Sequence, residues 1–223
     1  MSINNESRGI VFFDVDNTIF CGFTQKKFAA YVFSKKILKP FDMAAVVVWF
    51  ILYKLKIIRN EERAINFLLA KFKGWRRDDL ENLFAGYHAA VVAPNIYSQA
   101  AAIIKEHLNA GRRVILLSTS LEPIVRRIAA AVGITEYLAT KISFENNICQ
   151  GRVDGRVVNA GRKLEYLRRV LSGGESADSF YYADHYSDIP LLSSVSHPLT
   201  VNPDASLRRL AAKNHWPILN FSL

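Results

Sequence analysis

Four short apolar runs, each closing on polar residues and each parted from the next by helix-patterned sequence, restrict this chain more than any other feature. Residues 10–13, 113–118, 179–183 and 198–201 carry β-branched, aromatic and leucine side chains without a helical period. Runs of that length and content read as buried strands, and strands alternating with helices predict a parallel, doubly wound, Rossmann-like α/β sheet. In such a sheet the carboxyl ends of the strands lie along one edge, where ligands bind. The first run ends at Asp14 and Asp16, the second at Ser118 followed by Thr119 and Ser120, and the third at Asp184 with Asp188 beyond it. One edge therefore collects carboxylates and hydroxyls.

Between the first two runs the pattern changes. Helical spacing covers residues 24–32, 41–56, 61–73 and 78–92, interrupted at Lys39-Pro40, at 58–60 and at Gly74-Trp75. The chain thus divides into a core of residues 1–20 and 94–223 and an all-helical insertion, a cap, of residues 21–93. A length of 223 residues with 50% hydrophobic content suits one main core plus a smaller satellite. Further on, 96–110 and 121–132 read as helices, 138–143 as a strand, 145–155 as a hairpin around Asn146-Asn147, 161–171 as a helix and 204–213 as a last helix.

Residues 43–53 are wholly apolar, yet fall short of the ~18 or more expected of a transmembrane helix, so no membrane span is expected. Two readings of this run stay open. It is a helix buried in the insertion, or a surface for membrane or acyl contact flanked by Lys39, Lys54 and Lys56. Residues 1–8 are polar, with no apolar segment of a signal peptide, and the two cysteines, Cys21 and Cys149, give neither a metal-ligand spacing nor a disulfide framework. A cytoplasmic location is the expectation. The net charge of +9 favours anionic partners. Its arginines are scattered in pairs near predicted helix ends, which is the pattern of solvated surface rather than of a nucleic-acid patch, so no nucleic acid is expected.

Several carboxylates crowded on one edge repel each other, and a divalent cation that prefers hard oxygen ligands removes the repulsion. Mg2+ is the natural occupant, with water and a substrate phosphate completing its shell. A calcium loop starting at Asp14 fails, because Ile19 and Gln25 stand where glycine and glutamate are required. Lys163 falls in the first turn of a predicted helix, where the helix dipole opposes a cation by ~0.3–1 kcal/mol. A phosphate or a carboxylate would hold it there; the alternative is a solvated lysine at a helix end.

The ordered set Asp14-Val-Asp16-Asn-Thr18, Ser118, Lys163 and Asp184-His-Tyr-Ser-Asp188 resembles the four motifs of the haloacid dehalogenase superfamily, and in particular its phosphoserine-phosphatase-like branch with a helical cap. The resemblance spans nearly the whole chain. It implies a Mg2+-dependent phosphatase in which Asp14 is the nucleophile that forms an aspartyl-phosphate and Asp16 is the general acid and then base. It implies phosphate contacts from Ser118 and Lys163, and metal ligation by Asp14, the Asp16 carbonyl, Asp184 and Asp188. Thr18 and Thr119 join the phosphate-binding candidates. Thr18 also reads as a turn cap, Thr119 with Glu122 has the spacing of a capping box, and Asp188 reads as a helix cap as well as a metal residue. His185 reads as a wall of the site.

The substrate is expected to be a small phosphorylated molecule. Phosphoserine phosphatases carry a glutamate soon after the first motif, whereas residues 20–25 contain no acid. A hydrophobic or lipid phosphate is the expected alternative to phosphoserine or another small metabolite, with peripheral membrane contact as a corollary. A reading of another class is a non-catalytic anion- or membrane-binding protein on the same fold.

Overall fold

In a computed structural model of the 223-residue chain, residues 9–54, 61–175 and 178–223 are described. Of the readings above, the polar start at 1–8, Lys56, the helix break at 58–60 and the side chains of Tyr53 and Lys54 lie outside the described residues.

The main sheet has six strands in the order β3-β2-β1-β6-β7-β8: β1 (Ile10–Phe13), β2 (Arg113–Leu121), β3 (Glu136–Thr140), β6 (Ser179–Ala183), β7 (His197–Val201) and β8 (Ile218–Leu219). Every pairing in it is parallel. Because β1 sits between β2 and β6, the strand order reverses there, and the crevice outside β1 and β6 is the expected binding point of a doubly wound sheet.

Alternation along the strands builds two apolar layers. Val11, Phe13, Val114 and Leu116 face one way, into a core shared with α5 (Ser98–Asn109) and α6 (Glu122–Ala131). Ile10, Phe12, Ile115, Leu117 and Tyr181 face the other, against Leu167 of α7 (Ala160–Val170), Leu191 of α8 (Ile189–Leu192) and Leu207 of α9 (Ala205–Lys213). Side chains fully buried in this way contribute about 1.5–3 kcal/mol each. The Phe13 and Tyr182 rings stack across β1 and β6 with centroids 4.2 Å apart.

Four helices fill the stretch between β1 and α5: α1 (Thr24–Ser34), α2 (Pro40–Lys54), α3 (Glu61–Leu69) and α4 (Arg77–Tyr87). The contact of α1 with α4 is aromatic, with Phe28 stacked on Phe84 at 4.8 Å and met edge-on by Tyr87. The hairpin forms as expected, but it is a separate two-stranded sheet, β4 (Ile142–Glu145) and β5 (Ile148–Val153), turning through Asn146 and Asn147, both at positive φ. It docks on the helical stretch. Gly74 N–H donates to Cys149 O, Cys149 N–H to Trp75 O, and Arg77 N–H to Asn147 O. At Gly151, whose φ is +70°, a Cβ would stand 3.2 Å from Ala70 Cα, so only glycine lets the two backbones approach.

Three expectations change. The second strand runs past Ser118 to Leu121, with its register to β3 shifting between Leu117 and Leu121, so Ser118 lies in an irregular stretch of the strand rather than at its end. The capping box does not form: α6 begins at Glu122 behind Leu121, without a side-chain cap, because residues 118–120 are still strand. The expected strand at 138–143 is two, β3 and β4.

Candidate active site

Lys163 is the hub. Helix α7 starts behind Asn159, whose side chain accepts from Arg162 N–H, and one turn in, the Lys163 side chain points inward with 4% exposure. Its Nζ donates to Asp14 Oδ1 at 2.6 Å and to Asp188 Oδ2 at 3.3 Å. Carboxylates, then, hold the lysine against the helix dipole. Burial alone would discharge the ammonium, but Asp14 and Asp188 beside it keep its pKa above the ordinary lysine value.

Asp14 ends β1, with its N–H bonded to Tyr182 O on β6. Burial raises its carboxyl to about 7, more than Lys163 lowers it, and the Asp188 charge adds to the rise. Asp184, one residue past β6, is raised well above the usual range by burial and then by Asp14. Its Oδ2 accepts from Asn17 Nδ2 at 3.1 Å. Asn17 is in the left-handed region, φ 54°, and its Oδ1 accepts Gly22 N–H, so one amide both closes the loop after β1 and orients Asp184. Asp188 stands at the start of α8 but caps nothing. Its Oδ2 takes the hydroxyl of Tyr181 at 2.9 Å in addition to Lys163, so the cap reading gives way to a place in the charge cluster.

Asp16 takes its hydrogen bonds from other groups. Its Oδ1 accepts Thr24 N–H at the start of α1 at 2.8 Å, and its Oδ2 accepts the Ser120 hydroxyl at 3.4 Å. The Thr24 and Ser120 hydroxyls bond each other, and Tyr87 of α4 donates to Thr24 O. Burial raises the Asp16 carboxyl, and the Thr24 bonds partly offset the rise. Two aspartates two residues apart thus occupy different surroundings, one against an ammonium and the other against neutral donors.

The hydroxyl candidates separate as well. Ser118 is buried and its Oγ accepts Ser120 N–H, leaving its own proton to donate. Thr119 contributes its carbonyl to Thr140 Oγ1 and Gln25 Nε2. Thr18 is fully buried, and its Oγ1 has no hydrogen-bond partner. His185, beside Asp184, bonds Ser187 and caps the short turn Tyr186–Asp188. The sequence assigns Asn17 and Thr24 no role because their partners Asp184 and Ser120 are remote in sequence, and Tyr181 none because its place in a buried strand accounts for it until the fold turns Asp188, seven residues on, back onto its hydroxyl.

Among the described residues, no three His, Cys, Asp or Glu side chains are grouped so as to hold a metal unaided. The donor set still suits Mg2+, which binds through one or two carboxylates and fills its shell with water and substrate oxygens. Asp14 and Asp188 are buried against a single ammonium, and Asp184 is buried close enough to them that their charges raise it further. A hard cation would offset the burial and repulsion that raise Asp14 and Asp184.

The cavities of about 600 and 740 Å³ lie elsewhere, one beside β3 and the hairpin near Tyr137, the other near Trp216 and the start of β7. The titratable cluster, not cavity size, marks the site.

Residues 11–193 match the family profile described as haloacid dehalogenase-like hydrolase. The chain is 34% identical to the "Inhibition of morphological differentiation protein" of Streptomyces azureus over 72% of this chain, and that match spans 58% of the relative's own length. It is 30% identical to a probable phosphatase of Mycobacterium tuberculosis, over 97% of this chain and 76% of that protein. Among solved structures, a phosphoserine phosphatase carrying a phospho-aspartyl intermediate analogue superposes with a TM-score of 0.68 at 18% identity, covering 96% of this chain and 94% of that one. The motifs at the switch point of the sheet and these matches agree: the chain belongs to the haloacid dehalogenase-like hydrolases and is a phosphatase.

Proposed function

We propose that this phosphatase hydrolyses a phosphomonoester in two steps through Asp14 and Asp16. In the first, an Asp14 carboxylate oxygen attacks phosphorus in line as the bond to the leaving oxygen breaks. The leaving oxygen keeps that bonding pair and takes the Asp16 proton, so an alcohol departs and an aspartyl-phosphate remains on Asp14. In the second, Asp16 accepts a proton from water as the water oxygen attacks phosphorus, releasing inorganic phosphate and restoring Asp14. Lys163 orients Asp14 and, with the Ser118 hydroxyl, donates to phosphoryl oxygens whose charge grows in the transition state.

Asp14, the main-chain carbonyl of Asp16 and Asp184 would hold Mg2+, with Asp188 direct or through water. The metal would supply charge neutralisation at the phosphoryl group. Residues 21–93 act as the cap over the core of residues 1–20 and 94–223, shielding the reaction and contacting the leaving group. Thr18, in the loop after β1, and Thr119, in the irregular end of β2, line the phosphate side.

The observation that carries this reading is the contrast between the two aspartates: Asp14 is paired with the Lys163 ammonium, whereas a half-buried Asp16 with raised pKa is held by a backbone N–H and a hydroxyl. That contrast suits a nucleophile and a proton carrier. For the substrate, a phosphorylated small molecule is the class, and the acid-free stretch at 20–25 with Phe23 at 48% exposure favours an apolar leaving group over the amino acid of phosphoserine.

The test is hydrolysis of an aryl phosphate with Mg2+. Release of inorganic phosphate is expected to fall at least about a thousandfold in Asp14→Asn. Retained turnover in that variant would remove Asp14 from the mechanism.

A further inference from the structure

Helix α2 is apolar on nearly every side, which ordinarily means burial, yet one face of it is open to solvent. Phe41 is 83% exposed, Val47 46%, Val48 53% and Ile51 53%, and Ala44 is exposed between them. At 100° per residue these five positions fall within an arc of about 120° that contains no polar side chain. The first of the two readings of residues 43–53, a helix buried in the insertion, therefore fails for this face, and the described apolar residues on the other side are half-buried.

The sequence that carries α2 and leads to it is predominantly basic. Between Thr24 and Lys54 the sequence has six lysines and one acid, Asp42. That acid is turned inward at 8% exposure, where it accepts Lys71 Nζ at 2.7 Å and Lys39 N–H at 3.0 Å. Lys35, Lys36 and Lys39, in the connection that delivers the chain to α2, are exposed. An exposed apolar stripe beside lysines and free of acids complements an anionic lipid surface, where apolar side chains enter the headgroup boundary and lysines meet lipid phosphates. A second copy of the chain would instead bring like charges together, at a net charge of +9 each. The helix as described, 15 residues or about 22 Å long, is too short to span ~30 Å of hydrocarbon, so it lies along the surface.

We infer that the exposed face of α2, with Lys35, Lys36 and Lys39, is a docking site for an anionic lipid bilayer. This site is separate from Asp14 and its partners and stands whether or not the catalytic reading does.

The test is sedimentation of the full chain with phosphatidylcholine vesicles, with and without phosphatidylglycerol. Binding is expected only with the anionic lipid, and weakening as salt rises. The triple variant Val47→Gln, Val48→Gln, Ile51→Gln should lower the partition coefficient by about tenfold or more, and so should Lys35→Gln, Lys36→Gln, Lys39→Gln, which leaves the helix untouched. Both variants should keep the wild-type melting temperature. Failure of the wild type to sediment, or equal sedimentation of the stripe variant, overturns the inference. Self-association without vesicles that the stripe variant abolishes would assign the face to a second copy and overturn it too.

Discussion

The Lys163 ammonium lies 2.6 Å from Asp14 Oδ1, deep enough that neither group is stabilised by water, and it leans on Asp188 at 3.3 Å. In such a triad the removal of one charge strands the others.

Lys163→Met should therefore unfold more easily, by about 3–5 kcal/mol in urea denaturation with a chelator present. Adding Asp14→Asn to it should restore part of that loss. Strict additivity of the two substitutions would show that the pair is not coupled.

Asn17 is expected to act on metal binding without being a ligand, because its amide orients the Asp184 carboxylate. Asn17→Gly keeps the left-handed backbone of the turn and deletes the amide. The Mg2+ concentration giving half-maximal thermal stabilisation should rise about 10–100-fold. An unchanged midpoint would make the Asn17 contact purely structural.

Ser120 and the Thr24 N–H share the task of aiming Asp16. Ser120→Ala should reduce kcat about tenfold with little change in KM, and cost no more than about 1–2 kcal/mol of stability. A KM effect with kcat intact would mean that Ser120 contacts substrate instead.

His107 gives the fold an acid-sensitive point outside the site. Its Nε2 is 2.9 Å from the Tyr182 hydroxyl, and its Nδ1 faces the Arg112 guanidinium, which can only donate, so the ring is neutral with its proton on Nε2. Burial, then Arg112, hold its pKa down to about 4, against the opposing pull of Asp178. Above its ordinary 6.5 both folded and unfolded chains carry it neutral. Below that the unfolded chain takes a proton that the folded one refuses, so stability should drop between pH 6.5 and about 4, by on the order of 1–3 kcal/mol. His107→Gln should flatten this part of the profile, compared by urea midpoints at pH 7.5 and 4.5; parallel profiles would assign the acid loss to other groups.

The sequence was most legible where chemistry and secondary structure share a short stretch. Asp14 and Asp184 close apolar strands, and Lys163 contradicts the dipole of its own helix; each signal needs only local residues. Asn17 was illegible because its partner Asp184 is 167 residues away, and Ser120 because its bond to Asp16 spans 104. Both look like ordinary turn and cap residues until the sheet brings them together. The irregular end of β2 was hidden too, since Ser118-Thr119-Ser120 has the composition of a helix start and only pairing with β3 keeps it extended. In α2 the pattern was read correctly as apolar, but which side meets the other helices is a matter of packing that periodicity in an all-apolar run does not encode.

Strand β1 is flanked on both sides by strands that come much later in the chain: Ile10 pairs with Arg113 on one edge and with Ser179 on the other. At about 5–20 residues per second, the ribosome needs on the order of 7–30 s after making Asp14 before it adds Lys163, 149 residues on. For that interval β1 has no lasting partner on its β6 side. The nascent chain therefore carries an apolar strand with an open edge, exposed to chaperones or to pairing with a neighbouring chain. The buried Asp14–Lys163 charge pair can close only after that interval.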